Sequence, residues 1–135
     1  MESRRIFKIF YATEHPERIA ALISISGGIP VDADNLPENF CNIEKIPVWA
    51  FHGDADDIVS VNSSIESIQL IESNCQPSVM PRVTIFEGID HILHHAVFNL
   101  TSMQNGSLEY TSDPNYDPYD QSIFEWLLSF DLDDR

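Results

Sequence analysis

Two short segments of the sequence carry side chains that could exchange a proton. The first holds three aspartates, Asp54, Asp56 and Asp57, and the second holds His91. A carboxylate beside an imidazole fixes which ring nitrogen carries the proton, and it stabilises the imidazolium that forms when the histidine accepts another. If the fold brings the two segments together, they supply the acid and the base that a nucleophilic hydrolysis needs.

Each of these segments follows an apolar run that predicts a buried strand. Residues 46–51 precede the aspartates, and the four apolar residues from Val48 to Phe51 suit a strand that is covered on both faces. Residues 82–86 form the next such run. It is followed by Glu87 and Gly88, which indicate a turn, and then by His91. Open α/β sheets bind ligands at the carboxyl ends of their strands, so both segments are placed where a site is expected.

Helices and one further strand complete the predicted order of elements. The interpretation assigns a helix to residues 4–15, a strand to 19–26, a connecting loop to 31–45, a helix to 61–73 capped by Asn62 or Ser63, a short helix to 92–100, a loop to 101–118 and a closing helix to 119–130. Strands that alternate with helices favour a parallel sheet with helical crossovers, which is a three-layer α/β architecture. We expect one domain over residues 1–135, with an inserted loop at 101–118 and an acidic tail at 131–135.

Charge and composition exclude several classes of partner. The chain has 22 acidic and 7 basic side chains, a formal net charge of −15, which repels nucleic acid and anionic lipid. No apolar run approaches the length of about 20 residues that spans a bilayer. The first residues do not fit a signal peptide, and Cys41 and Cys75 are expected to be free thiols, so the prediction is a cytoplasmic protein in a reducing compartment.

Three ordered segments resemble the carboxyl-terminal half of the α/β-hydrolases. Residues 51–59 match the pattern His-Gly-x-x-Asp-x-x-Val, residues 86–91 include a Gly-x-x-His segment, and residues 124–128 resemble the family's closing helix. The branch they resemble contains esterases, phospholipases and dienelactone-hydrolase-like enzymes and is related to the catalytic domain of prolyl oligopeptidase. The resemblance implies that Asp56 is the acid of a catalytic triad, that His91 is its base, and that the strands are the last ones of the family's sheet.

The nucleophile is the part of the family pattern that differs here. A nucleophile elbow reads Gly-x-Ser-x-Gly after a strand, and the sequence contains no such segment. Ser3 stands at a suitable distance before Asp56, but Arg5 occupies the place of the second glycine. We therefore expect a partial α/β-hydrolase domain that begins at or just after the elbow, with Ser3 as its candidate nucleophile.

Other readings of these residues are simpler. Asp54 and Asp57 are interpreted as solvated loop acids or turn caps, and His52 as a structural hydrogen-bonding residue. His91 and His95 share a helix face beside His94, but the Glu of a His-Glu-x-x-His metal motif is absent, so neither a metal nor a cofactor is predicted.

Two functions of different classes remain open. One is a serine hydrolase that acts on a small-molecule ester or a peptide-like substrate. In this case the chain carries the acid and the base of the triad, and its nucleophile is either Ser3 or missing from the sequence. Tyr110, Tyr116 and Tyr119 could then line an acyl or sugar-ester site, although a solvent-exposed loop is the simpler reading. The other is a non-catalytic hydrolase remnant that serves as an interaction or assembly domain, self-associating through the open edge of its incomplete sheet.

Overall fold

The sheet is small and entirely parallel. The computed structural model describes residues 12–28, 33–91, 97 and 112–134. Three strands pair in the order β1-β2-β3, with bounds Leu22–Ile25 (β1), Val48–Gly53 (β2) and Arg82–Phe86 (β3). The register places Leu22 opposite Val48, and Trp49 opposite Arg82. This arrangement confirms the predicted three-strand parallel sheet and gives all three carboxyl ends the same direction.

β2 is the central strand and is buried at every position. Because side chains alternate across a strand, Val48 and Ala50 face one layer, whereas Trp49 and Phe51 face the other. The continuous apolar run is therefore explained by two separate cores, one on each face of the sheet. The strand extends to Gly53, so His52 belongs to β2 and not to the loop, and it points to the same side as Ala50.

The first core lies under a helix of fourteen residues, Val61–Asn74 (α1). The helix buries Ile68 and Ile71 against β2 and β3. Its N-cap is Ser60, whose Oγ accepts a hydrogen bond from Asn62 N–H at 3.2 Å. The predicted cap at Asn62 or Ser63 was wrong, because those residues already lie inside the first helical turn, where their N–H groups need a partner from the residue before.

The second core is aromatic and is closed by a short helix, Ile123–Leu128 (α2). Trp49 packs edge-on against Trp126 of α2, with ring centroids 5.4 Å apart, and its ring is tilted by 31° against that of Phe51 at 4.7 Å. Tyr119 packs edge-on against both Trp49 and Phe51, and its hydroxyl donates to the backbone carbonyl of Val97. Tyr119 is a buried residue of this core, and its burial raises the pKa of its hydroxyl to about 12.

Several predicted bounds change in the structure. β1 is shorter than the strand expected over 19–26, and α2 is shorter than the helix expected over 119–130. The predicted loop at 31–45 contains a 3-10 helix at Phe40–Lys45, and the acidic tail contains another at Leu132–Asp134. In the predicted first helix residues 12–14 are helical, whereas residues 4–11, most of the predicted helix at 92–100 and most of the 101–118 loop lie outside the described residues.

Cys41 and Cys75 form a disulfide, so the prediction of free thiols was wrong. Cys41 lies in the 3-10 helix that contacts α1, and Cys75 directly follows α1. Their separation of 34 residues gives no local signal of pairing, since their proximity depends on how the two helices pack. Disulfides persist in oxidising compartments, so the expectations of a reducing compartment and of a cytoplasmic location lose their support. Within the described residues, no helix combines the length and the apolarity needed to span a bilayer.

Candidate functional site

The carboxylate of Asp56 is held by four hydrogen bonds just beyond the end of β2. Its Oδ1 accepts from the backbone N–H groups of Ile58 at 2.9 Å and Val59 at 2.8 Å. Its Oδ2 lies 2.8 Å from Nδ1 of His91 and 3.0 Å from Nε2 of His52. Each oxygen therefore has two partners, and the acid cannot rotate without losing all four.

Burial and hydrogen bonding act on Asp56 in opposite directions. The side chain is fully enclosed, and this burial alone would raise its pKa. The hydrogen bonds from Val59, His91 and Ile58, together with the charge of the His91 ring when protonated, outweigh burial and lower the pKa of Asp56 below its ordinary value of 3.8. Asp56 is thus a carboxylate at neutral pH. The ring of His91 is 17% exposed, so solvent reaches the pair from the His91 side.

His91 reaches Asp56 because the loop after β3 lies directly against the loop after β2. Asp54 accepts a hydrogen bond from Gly88 N–H at 2.7 Å through Oδ1, and Ala55 N–H donates to the carbonyl of Ile89 at 3.0 Å. A Cβ on Gly53 would lie only 2.1 Å from that carbonyl oxygen of Ile89. The glycine after His52 is therefore required for the close approach of the two backbones.

β1 contributes a third strand end to the site. Ser26, which follows β1, is fully buried and has φ 54°, a left-handed conformation that is uncommon for residues other than glycine. Its Oγ donates to the backbone carbonyl of His91 at 3.0 Å. Ser26 thus anchors the loop that carries His91. No role was predicted for Ser26 from the sequence, in which the glycine pair Gly27-Gly28 directly after it indicates a turn.

His52 is fully buried beneath α1 and touches the same oxygen of the acid as His91. Its Nδ1 lies 2.7 Å from the hydroxyl of Ser64, and its Nε2 lies 2.8 Å from the carbonyl of Val59. The expectation of a structural hydrogen-bonding role fits these contacts. Two signals could have predicted them: His52 follows Val48 and Ala50 at the two-residue period, and Ser64 shares the buried helix face of Ile68 and Ile71.

Solved esterases share this arrangement of sheet and helices. Esterase PE8 is 23% identical and aligns over 77% of this chain and 46% of its own, with a TM-score of 0.55. A thermostable esterase is 23% identical and aligns over 89% of this chain and 26% of its own, with a TM-score of 0.52. The chain has a partial α/β-hydrolase fold. It spans 46% and 26% of the lengths of these two esterases.

An alpha-beta serine hydrolase homologue from Coxiella burnetii is 20% identical to this chain, with a TM-score of 0.46. That alignment covers 77% of this chain and 44% of the other. Neither a protein-family model nor a curated protein matches the sequence. The likeness therefore concerns the fold, and the roles of individual residues rest on the geometry of the site.

The other predicted site residues divide into two groups. Asp54 and Asp57 are exposed; Asp54 accepts from Gly88 N–H in the adjoining turn, in line with a turn-capping role. The candidate nucleophile Ser3 and the histidines His94 and His95 lie outside the described residues. Within the described part of the α/β-hydrolase fold, the pair that the sequence singled out, Asp56 and His91, is in contact, while their catalytic roles stay a prediction.

One further group of side chains has metal-ligand chemistry. Cys41, Glu44 and Cys75 place their ligand atoms within 4.8 Å of one another. Both sulfurs are already committed to the disulfide, and Glu44 accepts from the N–H of Gln76 at 2.8 Å. A metal ion is bound by thiolates and not by a disulfide, so this cluster in its observed state is a structural cross-link.

Proposed function

We propose that the chain carries the acid and the base of a serine hydrolase whose substrate is a small-molecule ester or a peptide-like amide. The observation that supports this most strongly is the 2.8 Å contact between Asp56 Oδ2 and His91 Nδ1 at the carboxyl ends of adjacent parallel strands. It joins a fully enclosed carboxylate to a partly exposed imidazole. That is the relation in which the acid orients the base and the base meets the substrate.

The chemistry follows from the proton positions. With Asp56 ionised, the proton of the neutral His91 ring resides on Nδ1, and Nε2 keeps its lone pair. Nε2 then takes the proton of a serine hydroxyl as the serine oxygen attacks the carbonyl carbon, and the carbonyl π electrons move onto its oxygen. When the tetrahedral intermediate collapses, the same proton passes to the leaving alcohol or amine. Water hydrolyses the acyl-enzyme by the same two steps.

The serine in this proposal is Ser3, on the sequence argument given above. Ester hydrolysis is what the names of the two esterases state of those proteins, and it comes to this chain as a proposal because the chain spans under half of each. The proposal therefore concerns the reaction class and three roles: Ser3 attacks, His91 moves the proton, and Asp56 holds His91.

A fluorophosphonate probe tests the proposal, since such probes react with serines that an adjacent base activates. We expect the purified chain to be labelled, with the adduct at Ser3 by mass spectrometry and its loss in Ser3→Ala. Ser73→Ala is the matched control, because Ser73 is an exposed residue of α1 distant in sequence from the site. A label on a different serine would remove only the role of Ser3. Cooperatively folded protein that takes no label at any serine would overturn the proposal.

A second candidate function, a non-catalytic assembly domain, is favoured by β1. All four of its residues are only half-buried although three of them are apolar, and within the described residues β1 pairs with β2 alone. An apolar edge strand is a template for pairing with another strand. The proposed partner is a second copy of this chain, paired through β1.

The backbone direction of β1 provides a test of that assembly. Leu22 N–H donates to Pro47, directly before β2, and Ser26 N–H donates to Phe51 of β2. By the alternation of a parallel ladder, the N–H groups of Ile23 and Ile25 therefore face the open edge. Sedimentation over a range of protein concentrations should show a dimer that Ile25→Pro abolishes. Added salt should favour the dimer, because it screens the repulsion between two chains of charge −15. A monomer at every concentration and salt would exclude this function.

A further inference from the structure

Among the described residues, His52 is the one ionisable side chain apart from His91 that touches the acid, and the proposed mechanism gives it no task. Its ring is fully buried, and both nitrogens have polar neighbours. Nε2 faces Asp56 Oδ2 at 3.0 Å and the carbonyl oxygen of Val59 at 2.8 Å. Nδ1 faces the hydroxyl of Ser64 at 2.7 Å. These contacts allow the protons on the ring to be counted.

Both neighbours of Nε2 are acceptors without a hydrogen of their own, a carboxylate oxygen and a carbonyl oxygen. Nε2 must therefore carry a hydrogen to bond to either. The Ser64 hydroxyl has a single hydrogen, which it donates to the carbonyl of Gly27 at 2.5 Å. Because that hydrogen is committed, Ser64 Oγ can only accept from Nδ1, so Nδ1 carries a hydrogen as well.

We propose that His52 is a positioning residue: a buried imidazolium that donates to Asp56 and to Ser64 and so holds the acid in the orientation that His91 needs. A buried cation is costly unless it is paired and hydrogen-bonded. Here Asp56 supplies the opposite charge, and Val59 and Ser64 supply the remaining acceptors. The inference rests on the proposed function in that the residue being held is the proposed acid.

The network extends from the acid to two other elements. The chain of contacts runs from Asp56 through His52 to Ser64 of α1, and from Ser64 to Gly27 in the turn after β1. Water cannot replace a partner in this hydrogen-bond network, because His52 and Ser64 are both buried. The orientation of the carboxylate is therefore fixed by α1 and β1 as well as by its own loop.

The rings of His52 and His91 meet the same oxygen of Asp56. Within the described residues, Asp56 is the charged group in contact with the His52 ring. From α1 the ring meets the neutral Ser64, and Ser64 in turn meets the carbonyl of Gly27 in the turn after β1. Asp56 therefore keeps its hydrogen bond to His52 while His91 takes part in the proposed proton transfer.

Nuclear magnetic resonance of the full chain tests the proton count directly. With nitrogen-15 labelling at neutral pH, we expect His52 to show hydrogens on both ring nitrogens. In Ser64→Ala the acceptor at Nδ1 is gone, so His52 should lose the Nδ1 hydrogen and keep the one on Nε2. A wild-type ring with one unprotonated nitrogen would overturn the imidazolium.

Two substitutions of His52 separate positioning from packing. The amide nitrogen of Gln reaches the place of Nε2, whereas that of Asn reaches only the place of Nδ1. His52→Gln should therefore keep the hydrogen-bonded Nδ1–H resonance of His91, and His52→Asn should lose it. Equal behaviour of two folded variants would reduce His52 to a packing role. If His52→Asn does not fold, the proton count in Ser64→Ala still decides.

These spectra do not depend on a nucleophile. If the fluorophosphonate probe labels no serine while His52 carries two ring hydrogens, the proposed function fails and the buried imidazolium stands. If a serine is labelled while His52 has one ring hydrogen, the proposed function stands and the inference fails.

Discussion

The two outer strands of the sheet, β1 and β3, differ in how completely their side chains are buried. β2 is buried at all six positions and β3 at four of five, whereas all four residues of β1 are only half-buried. Asp56 follows β2 and His91 follows β3, so the proposed acid and base both follow buried strands. The two buried strands carry the pair, β1 anchors it through Ser26 and Gly27, and β1 leaves one edge of the sheet open within the described residues.

The largest expected difference between β3 and β1 is in how much their side chains contribute to the free energy of unfolding. Ile85→Ala in β3 removes a fully buried side chain and should lower the free energy of unfolding by about 2–5 kcal/mol. The chemically identical change Ile23→Ala in β1 acts on a half-buried residue and should cost less than half as much. Denaturant unfolding of both variants measures this. Equal losses would show that β1 is as well covered as β3, which contradicts the comparison.

A smaller effect is expected where the loop after β2 meets the loop after β3. Gly53→Ala places a Cβ 2.1 Å from the carbonyl oxygen of Ile89, so the loop carrying His91 must move, at a cost of about 1–3 kcal/mol. The control is Gly88→Ala in the same loop. Gly88 has φ +73° but open space around it, so this change should cost about 1–2 kcal/mol in backbone strain alone.

The contact between the two loops distinguishes these glycine variants. Gly53→Ala should weaken the Nδ1–H resonance of His91, and Gly88→Ala should leave it in place. Loss of that resonance in both variants, or in neither, would show that the close approach at Gly53 is not what brings His91 to Asp56.

The smallest expected effect is the pH dependence of the acid itself. The folded-state pKa of Asp56 lies below its ordinary value of 3.8, so the carboxylate contributes stability that is complete above that value. This contribution is lost as the pH falls through the folded-state pKa. Asp56→Asn removes it, so the stability difference between wild type and variant should narrow on acidification. A difference that stays constant or widens below pH 3.8 would contradict the assigned direction.

Local pattern was enough to predict the elements, because each strand and α1 carry their own periodicity. The apolar run at Val48–Phe51 predicted a strand with two covered faces, and the spacing of Ile68 and Ile71 predicted a helix. Parallel strands that end at the same edge predicted that the loop with the three aspartates meets the loop with His91. The family resemblance then singled out Asp56 among the three aspartates.

What could not be predicted depends on packing between distant segments. The Cys41–Cys75 disulfide and the bond from Ser64 to Gly27 join residues that share no local pattern. Ser26 was missed because its left-handed conformation is a property of the folded turn. His52 was identified as structural, but its contact with the acid arises only because β2 continues to Gly53 and turns His52 toward α1.

The central claim is that Asp56 and His91 activate a serine, and the rate of fluorophosphonate labelling tests it most directly. Wild-type protein should be labelled, and His91→Gln should slow the labelling by about 10²–10⁴-fold, the usual contribution of a general base. Met80→Ala, a substitution of an exposed apolar residue in the loop before β3, should label at the wild-type rate. Equal rates in wild type and His91→Gln, or no label on cooperatively folded wild-type protein, would contradict the account.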